Sequence, residues 1–430
     1  MSTGFSRLAR AAAPGATSVP GRPGAMKWDL TAVLVVCLCF LGAPGAGQVS
    51  VQAEKRPQYP AKNSSEFSPV DVRVPIPPTP VMSVGKAYLA YELIITNFQA
   101  RDLTLTAVEV FNGVFMIADY RNEKLTNALY RPGIPRDPSD RRDIGPGMSA
   151  IAFIWLTMDP ATIPSALHHR LTFRVLDPNG NGVDTIVESR QVEVRKDRPL
   201  VLPPPFEGGT WAAGNGASST SIHRRAFTVI DGGMRMPQRF AVDWFKLGDR
   251  GRGEDDAKLV HDDPRKNENW YGYGAEVVAV ASGIVSAIKD GIPDNVPLAK
   301  SRAVPITLET IAGNYVFLDL EDGHFALFAH LQPGSLRVKV GDKVRRGQIL
   351  GRLGDSGNSD SPHLHFHIVD GNTPLGAEGL PFVFESYELL GVLKDLGVLT
   401  RDDGWRPQPS TAVEKCSKEM PLENMVIRFP

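Results

Sequence analysis

Ser361-Pro-His363-Leu-His365-Phe-His367-Ile368 is the stretch that decides how the second half of this chain folds. Strict alternation puts His363, His365 and His367 on one face of a strand. Leu364, Phe366 and Ile368 fall on the other. The apolar face belongs to a core. Three imidazoles on the opposite face can bind a metal, or divide the work between metal binding and proton transfer. Upstream lie Phe328-Ala-His330-Leu, in GHFALFAHLQPGSLRVKVGDKVRRGQILGRLGDSGNS, and Gln238-Arg239-Phe-Ala-Val-Asp243-Trp.

These segments, in this order and spacing, resemble the lysostaphin/LytM-type zinc metallopeptidases, which cut short peptide bonds in bacterial cell-wall cross-links. The resemblance covers about residues 205–385. It rests on HLHFH, AHL and the hairpin VKVGDKVRRGQILG. It implies an all-β, open β-sheet core of the duplicated hybrid motif type, one Zn2+ ion, and a peptidoglycan cross-link peptide as substrate, with Gly and other small residues accepted. Carried over residue by residue, Asp243 matches the carboxylate zinc ligand and His365 a histidine ligand. His363 matches the base that orients or deprotonates water, and His330 the histidine that stabilises the oxyanion. Such roles fit the chemistry. Catalytic zinc takes three protein ligands and leaves a position for water, and neutral imidazole accepts a proton near pH 7.

The family places its first histidine ligand four residues before the Asp. Arg239 stands there, and a guanidinium that stays protonated cannot ligate zinc. Two explanations remain open. Another histidine completes the metal site, or the domain has lost its metal and binds cell wall or activates a partner wall hydrolase. For the first, His223 in Ser221-Ile-His223-Arg-Arg is the candidate by elimination. His168 and His169 belong to the N-terminal half, His261 sits in a charged loop, and His324 begins the strand leading to His330. His367 lies ~6.5 Å along the strand from His365 and is assigned to the groove.

Three other patterns are set aside. Gly354-Asp-Ser-Gly357 lacks the His and Asp contexts of chymotrypsin-like proteases and reads as a turn. The VKVGDKVRRGQILG hairpin lacks the attachment lysine of biotinyl and lipoyl carriers. Asp262, Asp263, Asn267, Glu268 and Asn269 lack the spacing of a calcium loop.

Outward from the site, the 430-residue chain has 42% hydrophobic and 22% charged residues and a formal net charge of -1. That is enough apolar material for two cores, and it gives no electrostatic case for nucleic acid. Residues 83–200 carry short alternating runs, among them Tyr88–Thr96, Leu103–Phe111, Ala150–Leu156, Arg170–Val175 and Val187–Val194. Turn clusters such as DPNGNG separate them. They predict an immunoglobulin-like β-sandwich with a packing or positioning role. Pro199–Pro205 reads as a linker to a peptidase domain over 205–390. Residues 54–82 read as a Pro-rich tether, and 391–430 as a tail ending in a short apolar run.

Residues 1–53 have the order of a secretory signal. Arg7, Arg10, Arg22 and Lys27 precede the apolar run Leu30–Leu41, and small residues follow, with cleavage after Gly45 or Ala53. The run is shorter than the ~20 residues of a membrane span. The mature chain is therefore expected outside the cytoplasm, in the periplasm or medium. Of the three cysteines, Cys37 and Cys39 lie in this segment, which leaves Cys416 with no intrachain disulfide partner.

Overall fold

The structure is a computed structural model that describes residues 70–133, 141–176, 181–248, 257–400, 405 and 413–430. The signal segment lies outside the described residues, as does most of the tether. Among the described residues the fold is all-β, with a single short α-helix at Asn122–Ala128.

Alternating runs of β-branched and aromatic residues form two antiparallel sheets in the N-terminal half. One orders the strands Val70–Arg73, Lys86–Asn97, Ser149–Met158 and Leu129–Tyr130, with Val81–Ser83 also on Lys86–Asn97. The other orders Gly182–Glu188, Ala166–Leu176, Leu103–Asn112 and Phe115–Arg121. Leu89, Tyr91, Leu93 and Ile95 from the first sheet share a core with Leu105, Val108, Leu171 and Phe173 from the second. These inward residues follow the period of two, so the intervening ones must face elsewhere. In the first sheet they are buried as well. Ala90 joins the C-terminal core, and Ile151 and Phe153 pack on Met236. Burial on both faces explains why Lys86–Asn97 and Ser149–Met158 read as nearly continuous apolar runs. Glu92, a charged side chain on that covered face, is 1% exposed.

The C-terminal half is built on an eleven-stranded sheet. Its order runs Lys343–Val344, Gly283–Lys289, Asn314–Asp319, Phe325–Leu331, Leu364–Val369, Val242–Lys246, Gly209–Gly214, Met425–Phe429, Tyr387–Val392 and Glu414–Cys416, with Gly379–Leu380 also on Leu364–Val369. Strands distant in sequence are thus neighbours. Met425–Phe429 is an interior strand, antiparallel to both Gly209–Gly214 and Tyr387–Val392. Its Met425 and Ile427 join Trp244, Phe328, Leu364 and Phe366 in the main core.

Candidate metal centre and active site

Register alone assembles the centre of the site. Val242–Lys246 and Leu364–Val369 are antiparallel, with Asp243 directly opposite His365. On the other side of Leu364–Val369, Ala329 is opposite His365, so His330 comes up beside it. The apolar alternates, Leu364, Phe366 and Phe328, fill the core below.

His365 Nδ1 lies 2.9 Å from Asp243 Oδ1, and His363 Nε2 lies 3.4 Å from the same oxygen. His223 Nε2 lies 3.4 Å from Asp243 Oδ2. One ligand atom each from His223, Asp243 and His365 falls within 4.8 Å of the other two, so this buried group can hold a metal ion. The His330 ring centroid is 4.8 Å from that of His363 and 5.8 Å from that of His365. All five residues singled out in the sequence therefore meet in one buried cluster.

His223 gets there by a detour. It sits in a three-residue 3-10 turn, His223–Arg225, and the hairpin Thr228–Ile230/Gly233–Arg235 returns the chain to the Asp243 strand. Arg239 points away from the cluster. Its guanidinium donates to Glu92 Oε2 at 3.0 Å, Glu378 Oε2 at 3.0 Å and Gly379 O at 3.1 Å. One further residue escaped sequence reasoning and one was misplaced by it. Asn215 donates from Nδ2 to Asp243 Oδ2 at 2.8 Å, across a register that pairs Gly214 with Asp243. His367, assigned above to the groove, is instead fully buried behind His365, with the two rings joined at 2.9 Å. Alternation gave its face, but not its burial.

Backbone carbonyls only accept, so they fix several tautomers. Pro374 O takes a hydrogen bond from His367 Nε2 at 3.2 Å. Neutral His367 then offers a bare Nδ1 to the Nε2–H of His365, which leaves His365 Nδ1 bare towards the Asp243 carboxylate. Two lone-pair atoms 2.9 Å apart need a proton or a cation to join them. By the same argument, His363 Nδ1 donates to Ser361 O at 2.8 Å and His330 Nδ1 to Ser356 O at 2.8 Å. Each presents its Nε2 to the site.

Burial sets the charge states. It pushes His223 down to about 4, against the pull of Asp243, and holds His330 and His367 well below the usual histidine range. Burial alone would lower His363 and raise Asp243. Charge attraction wins in both cases: Asp243 raises His363, and His223, followed by His363, holds Asp243 well below the usual carboxylate range.

His330 has φ 63, in the left-handed region. Its amide donates to Ala312 O at 3.0 Å and its carbonyl accepts from Gly354 N at 3.0 Å, which hold this strained conformation. Ser356 of the GDSG turn is buried, and its hydroxyl donates to Leu331 O at 2.8 Å and accepts from Asn314 N at 2.9 Å.

Residues 271–376 match the model of peptidase family M23. This segment is similar to the M23 peptidases. The matched span includes His330, His363 and His365 and begins after Asp243 and His223. The chain is 36% identical over 66 residues to the peptidoglycan DD-endopeptidase ShyA of Vibrio cholerae, covering 15% of each protein. It is 47% identical over 55 residues to the glycyl-glycine endopeptidase ALE-1 of Staphylococcus capitis, covering 13% of this chain and 15% of that one. Among solved structures, the catalytic domain of lysostaphin from Staphylococcus simulans aligns with 40% of this chain and 88% of its own at 23% identity and a TM-score of 0.21. The chain spans about 15% of the length of these curated relatives.

Proposed function

We propose that this protein is a zinc-dependent endopeptidase that cleaves peptide cross-links of bacterial peptidoglycan outside the cytoplasm. The observation that carries this reading is the convergence of His223, Asp243 and His365 donor atoms within 4.8 Å, beside two further imidazoles. Two nitrogens and one carboxylate oxygen are a donor set suited to catalytic zinc. His223 Nε2, an Asp243 oxygen and His365 Nδ1 would hold the ion, and zinc at such a site polarises a carbonyl and acidifies water. The residues around it have separable tasks. His363 Nε2 accepts the proton of the attacking water, its ring fixed by Ser361 O and by stacking on Phe245 at 5.0 Å. His330 Nε2 can donate to an oxyanion only as imidazolium, because its other nitrogen is spent on Ser356 O. Burial opposes that charge, and the developing anion is what offsets it. The names of the similar endopeptidases support the substrate class.

The test is metal content by mass spectrometry, together with release of free amines from purified peptidoglycan. One zinc per chain and cleavage are expected for the wild type, and neither for Asp243→Asn. A wild-type protein that takes up no zinc and cleaves nothing would move the function to wall binding or to activation of a separate wall hydrolase. Arg239 at the family's ligand position is the observation that favours that alternative.

A further inference from the structure

The pieces that carry the metal ligands are held in place by a charge cluster in which none of those ligands takes part. Arg224, next to His223 in the chain, is 1% exposed. Its guanidinium donates to Glu92 Oε1 at 3.3 Å, Tyr91 O at 3.3 Å, Ile154 O at 3.1 Å and Ser218 O at 3.2 Å. Three of those four acceptors lie on the sandwich strands Lys86–Asn97 and Ser149–Met158. Glu92 also binds Arg239, which opens the segment leading to Asp243, and Arg239 in turn binds Glu378. Two carboxylates and two guanidiniums thus balance where neither sign is tolerated alone.

Apart from Arg224, the His223–Arg225 turn is tied down by Arg225, whose guanidinium donates to Asn127 O at 2.8 Å and Ser219 O at 3.2 Å. Its backbone bonds are Arg225 N to Ile222 O and Ala226 N to His223 O, both 3.1 Å. A lone 3-10 turn with two such bonds does not fix a ligand's position by itself. Arg224 Cα is one peptide, about 3.8 Å, from His223 Cα, so wherever the sandwich holds Arg224 it also sets His223.

Building on the metal reading above, we propose that Glu92 is a positioning residue for the metal centre: through Arg224 it seats the His223–Arg225 turn so that His223 meets Asp243 and His365, and the third ligand therefore depends on the N-terminal sandwich. This gives the sandwich a role in the chemistry although it contributes no atom to the site. It also gives a reason for Arg239, which exchanges a ligand for an anchor and leaves His223 to complete the set.

The experiment uses the full chain as Glu92→Gln, Arg224→Lys and, as a control, Leu105→Ala, which opens a cavity in the sandwich core and removes no member of the charge cluster. Zinc affinity is measured by chelator competition and ligand number by the cobalt absorption spectrum. Both are read at a temperature where circular dichroism shows each variant folded. Glu92→Gln and Arg224→Lys should bind zinc about 10–100-fold more weakly, with a cobalt spectrum of altered ligand field, while Leu105→Ala keeps the wild-type affinity and spectrum. Wild-type affinity and spectrum in both cluster variants overturn the proposal and leave the metal reading intact. So does a loss of affinity in Leu105→Ala equal to theirs, since it would mark a general effect of destabilisation. If Glu92→Gln does not fold, Arg224→Lys decides alone, because it keeps the charge and loses only the planar fork. A wild-type protein that binds neither ion overturns the metal reading and this inference together.

Discussion

Replacing Arg239 with methionine keeps the aliphatic stem and removes the charge. Arg239 is 3% exposed, and its guanidinium reaches both oxygens of Glu92, at 3.0 and 3.3 Å, as well as Glu378 Oε2 and Gly379 O. After the change Glu92 keeps Arg224, but Glu378 Oε2 keeps only the amide of Met236 at 3.3 Å. A balanced cluster becomes one with a surplus buried negative charge. Breaking a buried ion pair from one side costs about 3–5 kcal/mol, far more than the ~1 kcal/mol of an exposed pair. Adding Glu378→Gln removes the surplus charge, so the double variant should recover about 1–3 kcal/mol relative to the sum of the single changes. Equilibrium urea unfolding of the two single variants and the double variant measures this, provided the slopes agree. A cost under about 1 kcal/mol for Arg239→Met, or strict additivity in the cycle, would refute the claim that these four charges act as a unit.

Three more outcomes follow from the geometry. His363→Ala should retain metal and lose about 10²-fold or more in peptide cleavage, read as kcat on a soluble cross-link peptide with metal content measured in parallel. In the sandwich, burial pushes His169 down to about 3, with Nε2 at 2.8 Å from the Tyr91 hydroxyl. A lowered histidine pKa means the folded state resists protonation, so stability is lost as pH falls below ~6.5. Wild type should therefore lose about 2 kcal/mol more than His169→Gln between pH 7 and 5, measured by urea unfolding. Gly313 has φ +63, and an added Cβ would fall 2.4 Å from Ser356 O, the acceptor that orients His330. Gly313→Ala should accordingly lower both the melting temperature and kcat while zinc content stays at the wild-type level.

The strands were legible wherever polar and apolar residues alternate. Period-two alternation over 361–368 put His363 and His365 together, because the apolar alternates had to enter a core. Which strands become neighbours was not legible, since pairing depends on contacts between segments such as 242–246 and 364–369 that no local pattern encodes. His223 could be named only by exclusion, because its placement depends on a turn clamped by a distant carboxylate and not on its own surroundings in the chain. Glu92 looked like any polar position on an alternating strand. The nearly continuous apolar run around it is a sign that both faces of the sheet are covered, but it does not say by which segment, and so the partners of Arg239 could not be read. His367 was misplaced for a related reason. Strand rise puts it well away from His365 in Cα terms, but two imidazoles on adjacent same-face positions lean towards each other and close the gap to a hydrogen bond.

The interior position of Met425–Phe429 has a consequence for how the chain must be made. The strand Gly209–Gly214, which flanks the Asp243 strand, gains its second neighbour only after roughly two hundred further residues have been synthesised, the kind of long-range pairing that slows folding. Until then it presents a row of unpaired amides and carbonyls next to the Asp243 strand, an open template for any other extended chain. A ribosome that stalls before residue 425 would thus release a product carrying every residue named here for metal binding and catalysis but with its central sheet unclosed. Such a product should be recognised by its tendency to aggregate and its sensitivity to proteases.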